Sequence, residues 1–268
     1  MKRIQLFEFE DFDWFPNWLR TCMTNLIIIL SKMIGVAEVL AGLVTKTLKE
    51  QNQSQIVDLG SGSGGVMPEV LKMVQKTPGL ENASMLLTDL YPNPIFIRKF
   101  NKSTTDAIEY SKVPIDATDI SKAPTGLKTM INSFHHMPPE AAKSILDSAQ
   151  KNNEPLLIYE MAENKMPLLI WWLLLPFSLV ILIIMVLFMT PFVRPLTWKQ
   201  LVFTYLLPII PICYAWDGQA SLPRMYSFKD IDQLLEGLGS TAYGWEKGYA
   251  RKKNGKAMGT FIVGFPKS

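Results

Sequence analysis

The sequence predicts an α/β fold, a mostly parallel sheet with helices on its faces that ends in an antiparallel hairpin and is interrupted late by an apolar helical insertion. Three observations predict it. Apolar runs of strand length alternate with amphipathic helical stretches between Gln55 and Met161, the order a parallel sheet requires. The chain then ends in two β-like runs, Thr241–Ala250 and Met258–Phe265, joined across Lys253-Asn254-Gly255-Lys256. Asn-Gly favours a tight turn there because both central residues must reach positive φ. Finally, no charged residue occurs between Lys165 and Arg194, a run that separates the fifth strand from the last helix.

The N-terminal segment, 1–52, opens with Phe7, Phe9, Phe12, Trp14, Phe15 and Trp18 interleaved with Glu8, Glu10, Asp11 and Asp13. It lacks the apolar core of a signal peptide. A helical pattern follows from about Asn17 to Lys49. Its Leu26–Leu30 run is succeeded by Lys32 and Glu38, which favours a lid helix beside the core over a membrane span.

The core, 53–163, begins with a strand at Gln55–Asp58 that breaks into Leu59-Gly60-Ser61-Gly62-Ser63-Gly64-Gly65. The next helix has Val66, Val70, Leu71 and Val74 on one face and Pro68 in its first turn, where the missing N–H removes no helix bond. Glycines before a helix N-terminus make a cradle for a ligand that approaches bare backbone. Gly60, Gly62 and Gly65 fit G-x-G-x-x-G, which leaves nicotinamide and flavin cofactors open. The same stretch fits acid-x-G-x-G-x-G through Asp58, Gly60, Gly62 and Gly64. A second acid, Asp89, closes the next strand (Met85–Asp89), and Asp116-Ala117-Thr118-Asp119 follows the third.

This constellation resembles motif I and its companion acids in class I S-adenosylmethionine-dependent methyltransferases. The terminal hairpin is also that family's ending, and the resemblance covers about residues 53–161 and 217–268. It implies a Rossmann-like sheet and S-adenosylmethionine as cofactor. The implied contacts are Asp58, Gly60, Ser61, Gly62 and Gly64 at the first strand's end and loop, Asp89 and Leu90 at the end of the second strand, Asp116 and Ala117 after the third, and Asn132 late in the fourth. Asp89 would accept the ribose hydroxyls, and the Asp116 group would meet the adenine edge.

The remaining core elements follow in order. Ile95–Lys102 reads as the second helix, Leu127–Phe134 as the fourth strand, Pro138–Gln150 as its helix and Pro155–Met161 as the fifth strand. The closing segment, 217–268, starts its helix at Ser227, with Asp230 three residues on as in a capping box. Ile231, Leu234, Leu235 and Leu238 line the helix, and Gly239 is placed to stop it.

The insertion, 164–216, holds the uncharged run and a second one from Gln200 to Trp216, interrupted by Pro208 and Pro211. The first is long enough to cross a hydrocarbon core of roughly 30 Å. Because residues 217–268 rejoin the sheet, the insertion crosses a bilayer an even number of times or not at all. Pro176, Pro191, Pro195, Pro208 and Pro211, with Arg194 and Lys199 in the connection, favour a re-entrant or interfacial form over a full hairpin. A buried helical subdomain or dimer surface is the other reading. Trp171 and Trp172 suit an interfacial belt or a core.

His135 and His136 follow the fourth strand, on the carboxyl edge where open α/β sheets bind ligands, and are candidate general bases. Glu160 ends the fifth strand, placed to orient an acceptor or pair with Arg224. Asp217, Arg224 and Tyr226 resemble an Asp-Gly, Ser-x-x-Arg-x-Tyr segment of bacterial relatives and are candidate acceptor-pocket residues or a structural latch between insertion and core. The basic tip Arg251, Lys252, Lys253 and Lys256 is a solvated turn or a contact for anionic lipid headgroups.

Composition sets the outer limits. Across 268 residues, hydrophobic residues make up 48% and charged ones only 19%, more apolar than one soluble domain needs. A net charge of +3 without a basic aromatic stripe argues against nucleic acid. Cys22 and Cys213 lie in different contexts without metal-ligand spacing, so neither a disulfide nor a metal is expected. The reading is therefore methyl transfer to an apolar or lipid-like small-molecule acceptor at a membrane, with the catalytic domain on the cytoplasmic side. Its rivals are an oxidoreductase on the same cradle and a non-catalytic membrane-bound scaffold.

Overall fold

The computed structural model describes residues 1–102, 107–238 and 240–267. They form two compact units, a helical one of Met1–Ile34 and Ala162–Ser227 and a sheet unit of Gly35–Met161 and Phe228–Ser268.

The sheet unit contains β1 (Gln55–Asp58), β2 (Ser84–Leu87), β3 (Ile108–Tyr110), β4 (Leu127–Ile131), β5 (Leu156–Glu160), β6 (Tyr243–Arg251) and β7 (Ala257–Pro266), in the spatial order β3-β2-β1-β4-β5-β7-β6. β1 to β5 are parallel; β7 runs antiparallel between β5 and β6. Its helices are α2 (Val36–Glu50), α3 (Met67–Val74), α4 (Pro94–Phe100), α5 (Pro139–Lys151) and α9 (Phe228–Leu235), and the helical unit holds α1 (Asn17–Ile34), α6 (Leu168–Met189), α7 (Trp198–Leu201) and α8 (Ile209–Arg224). The path β1-α3-β2 moves toward one edge of the sheet and β4-α5-β5 toward the other. Right-handed crossovers therefore place α3 and α5 on opposite faces, and a crevice opens where the direction switches, beyond the carboxyl ends of β1 and β4.

The predicted helix from Asn17 to Lys49 is two helices. Gly35 takes φ +70°, a left-handed conformation that no right-handed helix continues through. Beyond it, Val36, Leu40, Val44 and Leu48 form one fully buried stripe at four-residue spacing, and α2 packs on α3. The segment 1–52 is thus no single lid, and the boundaries expected near 52, 163 and 216 fall at 34, 161 and 227. The last helix ends at Leu235, before Leu238, with Gly237 at φ +81°; the stop expected at Gly239 lies outside the described residues. β4 stops at Ile131 because Asn132 turns to φ +53° and Phe134–His136 form a 3-10 turn.

In the helical unit, Leu26 of α1, Val186 and Met189 of α6, and Ile210 and Tyr214 of α8 share one buried cluster. Cys22 and Cys213 sit in that same cluster as free thiols, a shared environment not expected from their sequence contexts. α6 accommodates Pro176 without a break. The return run passes through α7 and a π-helical turn, Val202–Leu206, then bends by 82° into α8 around Pro208. α8 runs back along α6: Tyr205 Oη donates to Leu187 O at one end (2.7 Å) and Asn164 Nδ2 to Pro223 O at the other (3.1 Å). Most of α6 faces outward, with Leu169, Phe177 and Phe188 each at least 70% exposed.

Candidate active site

The loop after β1 is built from glycines in left-handed backbone, Gly60, Gly62, Gly64 and Gly65. Gly64 is constrained twice, since a Cβ there would come within 2.9 Å of the Phe100 ring and 3.2 Å of Leu87. At Gly62 and Gly65 an added Cβ would meet nothing within 4 Å, so this part of the loop borders open space.

Asp89 stands at the mouth of the loop. Its carboxylate accepts from the Gly62 N–H (3.0 Å) and the Tyr91 N–H (2.9 Å). The Tyr110 hydroxyl, at the end of β3, donates to Gly62 O (2.9 Å) and fixes the loop from the other side. Burial, and the Asp89 and Asp58 charges after it, push the Tyr110 phenol pKa up, so it remains a neutral donor. Leu90 and Tyr91 beside Asp89 are exposed.

Asp58 is an internal pin. Its carboxylate is buried and accepts from the Thr129 hydroxyl at 2.6 Å, tying β1 to β4, while its carbonyl accepts from the Ser61 and Thr88 hydroxyls, both at 2.8 Å. Burial raises its pKa to about 6, against the lowering effect of the Ser61 and Thr129 bonds. Asp116 closes a local turn, accepting from the Thr118 N–H and hydroxyl, and Ala117 lies within that turn. The loop is joined to the second acid through Ile115 N–H to Asp89 O (3.0 Å). Asn132 stitches the ends of β4 and β5 together: its N–H donates to Tyr159 O and its Oδ1 accepts from Met161 N–H (2.7 Å).

The same edge holds a histidine–carboxylate pair. Glu160 accepts from the His135 N–H at 2.9 Å and meets His135 Nδ1 at 2.8 Å, with both side chains buried. A carboxylate only accepts, so Nδ1 carries the hydrogen and Nε2 is left as the ring's basic nitrogen. His136 lies against His135, ring centroids 4.2 Å apart.

Ser133 escaped the sequence reading. Among the described residues its buried Oγ has no hydrogen-bond partner, and it would lie 3.7 Å from a Cβ on Gly60; the buried Ser63 Oγ is likewise unpartnered among them. Orphaned hydroxyls beside an open backbone cradle fit a site that receives a polar ligand. Tyr110 and Thr129 escaped as well, since their roles depend on strand register.

Asp217, Arg224 and Tyr226 belong to the helical unit and engage the chain's own N-terminal segment. Asp217 accepts from Phe9 N–H (2.7 Å) and Glu10 N–H (3.2 Å). Arg224, fully buried, pairs with Glu8 (3.1 Å) and Asp11 (2.5 Å), and Arg3 lies over the Tyr226 ring. Glu8 and Asp11 of the aromatic lead-in meet Arg224, so these contacts tie the three residues to residues 3–11 of the same unit. Glu160 is held by His135.

A glycine turn at the switch point of a 3-2-1-4-5-7-6 sheet with only β7 reversed decides the architecture. The fold is that of the class I methyltransferases. No family model and no curated protein matches the chain. Solved structures with the methyltransferase fold do: an O-methyltransferase family protein from Burkholderia thailandensis is 14% identical, with 90% of this chain and 57% of that one covered and a TM-score of 0.47. The methyltransferase domain of bacterial CtHen1 is 12% identical, with 85% and 98% covered and a TM-score of 0.48. NcsB1, an O-methyltransferase from neocarzinostatin biosynthesis seen with S-adenosylmethionine, is 11% identical, with 85% and 56% covered and a TM-score of 0.44. The chain spans just over half the length of the first and third of these.

Proposed function

We propose that the chain is an S-adenosylmethionine-dependent methyltransferase that acts on an apolar or lipid-like acceptor at a membrane. The observation that carries this reading is the junction of Asp89 with the Gly62 N–H, beside the unpartnered Ser133 hydroxyl and on the same sheet edge as the His135–Glu160 pair. In it, Gly60 to Gly65 receive the cofactor's backbone-proximal part, Asp89 keeps lone pairs for two sugar hydroxyls, and Leu90 offers an apolar face to the base. Bound S-adenosylmethionine would supply an electrophilic methyl group. Glu160 holds the His135 tautomer so that Nε2 takes the proton from an acceptor hydroxyl, a contribution of about 10²- to 10⁴-fold.

The membrane part is supported by the helical unit. Leu168–Phe192 is a 25-residue helical stretch of mean hydropathy 2.8, and only 22% of its apolar 18-residue portion is buried. At 1.5 Å per residue it exceeds the roughly 30 Å of a hydrocarbon core. The antiparallel course of α8 along α6 favours a hairpin with a broken return leg over a dip into one leaflet. Trp172 and Trp198, both exposed near the two ends of the apolar stretch, suit the two interfaces.

Two measurements test the proposal. Thermal shift should register S-adenosylhomocysteine and not NAD; the reverse result makes the cradle a nicotinamide site. Incubation with membranes and methyl-labelled cofactor should give an organic-soluble labelled product, and label confined to water-soluble material would remove the lipid acceptor.

A further inference from the structure

A second hollow lies on the sheet unit between α2 and the turn that joins β6 to β7. It has a volume of about 610 Å³ and is lined on one side by Gly35, Glu38 and Gly42 and on the other by Tyr249, Lys252 and Lys253. That volume is in the range of small-ligand sites. Two features are unexplained by folding alone. Gly42 sits inside α2, where glycine costs about 1 kcal/mol relative to alanine, yet a Cβ added there would touch nothing within 4 Å. Packing does not demand this glycine; its effect is to keep the wall bare. The cations are also uncommitted: among the described residues neither Lys252 nor Lys253 has an ion-pair or hydrogen-bond partner for its ammonium group, and the lining holds three basic side chains against the single acid Glu38.

The fold holds these groups in place. Pairing of β6 with β7 shifts register between Tyr249 and Arg251, a bulge that re-aims the strand end. Arg251 donates to Gly255 O (2.9 Å) and so stiffens the turn, leaving the two lysines as the groups that meet a ligand. Lys252 Nζ reaches across the hollow to 3.8 Å from where a Gly35 Cβ would lie, with Glu38 Oε2 3.1 Å from the same point. Val39 and Leu43 supply an apolar floor.

We infer that this hollow binds the phosphate of an anionic amphiphile, with Lys252 and Lys253 on the charge and the bare Gly42 face of α2 against the adjoining ester. Binding is read without a methyl donor, so failure here would leave the methyl-transfer reading untouched. The test uses the full chain in neutral detergent and follows its melting temperature with dihexanoyl phosphatidylglycerol, dihexanoyl phosphatidylcholine and glycerol 3-phosphate. The phosphatidylglycerol should stabilise and the phosphatidylcholine should not. Lys252→Gln/Lys253→Gln should weaken the apparent affinity roughly fivefold or more per cation. Gly42→Leu, which adds helix propensity and no charge, should weaken it as well by filling the hollow. Lys72→Gln/Lys76→Gln, on α3 and in the turn that follows it, should leave it intact. Glycerol 3-phosphate acting alone through the same residues would mark a soluble phosphate ester as the source, and action of the lipid alone would mark a membrane headgroup. Equal shifts in all variants, equal response to the zwitterionic lipid, or equal loss in the α3 variant would overturn the assignment.

Discussion

Asp58 and Glu160 are both carboxylates at strand ends, and their surroundings give them different work. Asp58 titrates near 6 in the fold against an ordinary 3.8, so its neutral form is the one the native state favours. Its contribution is complete below about pH 4 and is lost as pH rises through 6. Asp58→Asn should therefore gain stability relative to the native chain between those values, by on the order of 2–3 kcal/mol, and hold the gain above pH 6. Denaturation curves at pH 4 and pH 7 check this, and parallel pH profiles for the two proteins would contradict it. Glu160→Gln should leave S-adenosylhomocysteine affinity unchanged while kcat falls about 10²-fold or more, because the His135 tautomer is no longer fixed. A change confined to KM would assign Glu160 to binding instead. At this scale the sequence was informative about identity and silent about pairing. Asp58, Asp89, His135 and Glu160 stand out individually by their positions after strands. That Glu160 grips His135 depends on β4 and β5 being neighbours in a register that sets Ile131 opposite Tyr159.

Among the elements, the loop after β1 and the α8 terminus carry the sharpest consequences. Gly64→Ala places a side chain at φ +87° and 2.9 Å from Phe100, which should cost about 1–3 kcal/mol, read by urea denaturation. Arg224→Met should cost about 3–5 kcal/mol because it removes the buried cation that pairs with the buried Glu8, and Glu8→Gln in the same chain should recover part of the loss. Strands and hairpin were legible because apolar runs and Asn-Gly report local preference directly. The break at Gly35 was not: the apolar pattern continues through it, and one glycine inside a helical stretch is normally tolerated. The partner of Arg224 was hidden for a different reason, since it lies 213 residues away along the chain.

For the molecule as a whole, two units imply two kinds of behaviour. The helical unit should hold the chain in the membrane pellet through a sodium carbonate wash, and Ile181→Arg on the exposed side of α6 should release a measurable fraction, since an arginine at a span centre costs about 2.5–3.5 kcal/mol. Retention of that variant in full would point to a protein partner covering α6. The apolar insertion was evident from composition, but its true extent, with residues 1–34 joined to 162–227, was not, because the apolar cluster and ion pairs that join them connect residues far apart along the chain and no local period reports such a pairing. A last consequence comes from β7, which lies between β5 and β6 although it follows both along the chain. Until Ala257–Pro266 emerge, the flank of β5 is a bare template of amide and carbonyl groups, while the greasy helices ahead of it have already been made. A chain that has not yet placed these ten residues has its apolar helices complete while β5 is still open to mispairing, which makes the docking of β7 the step that closes the sheet.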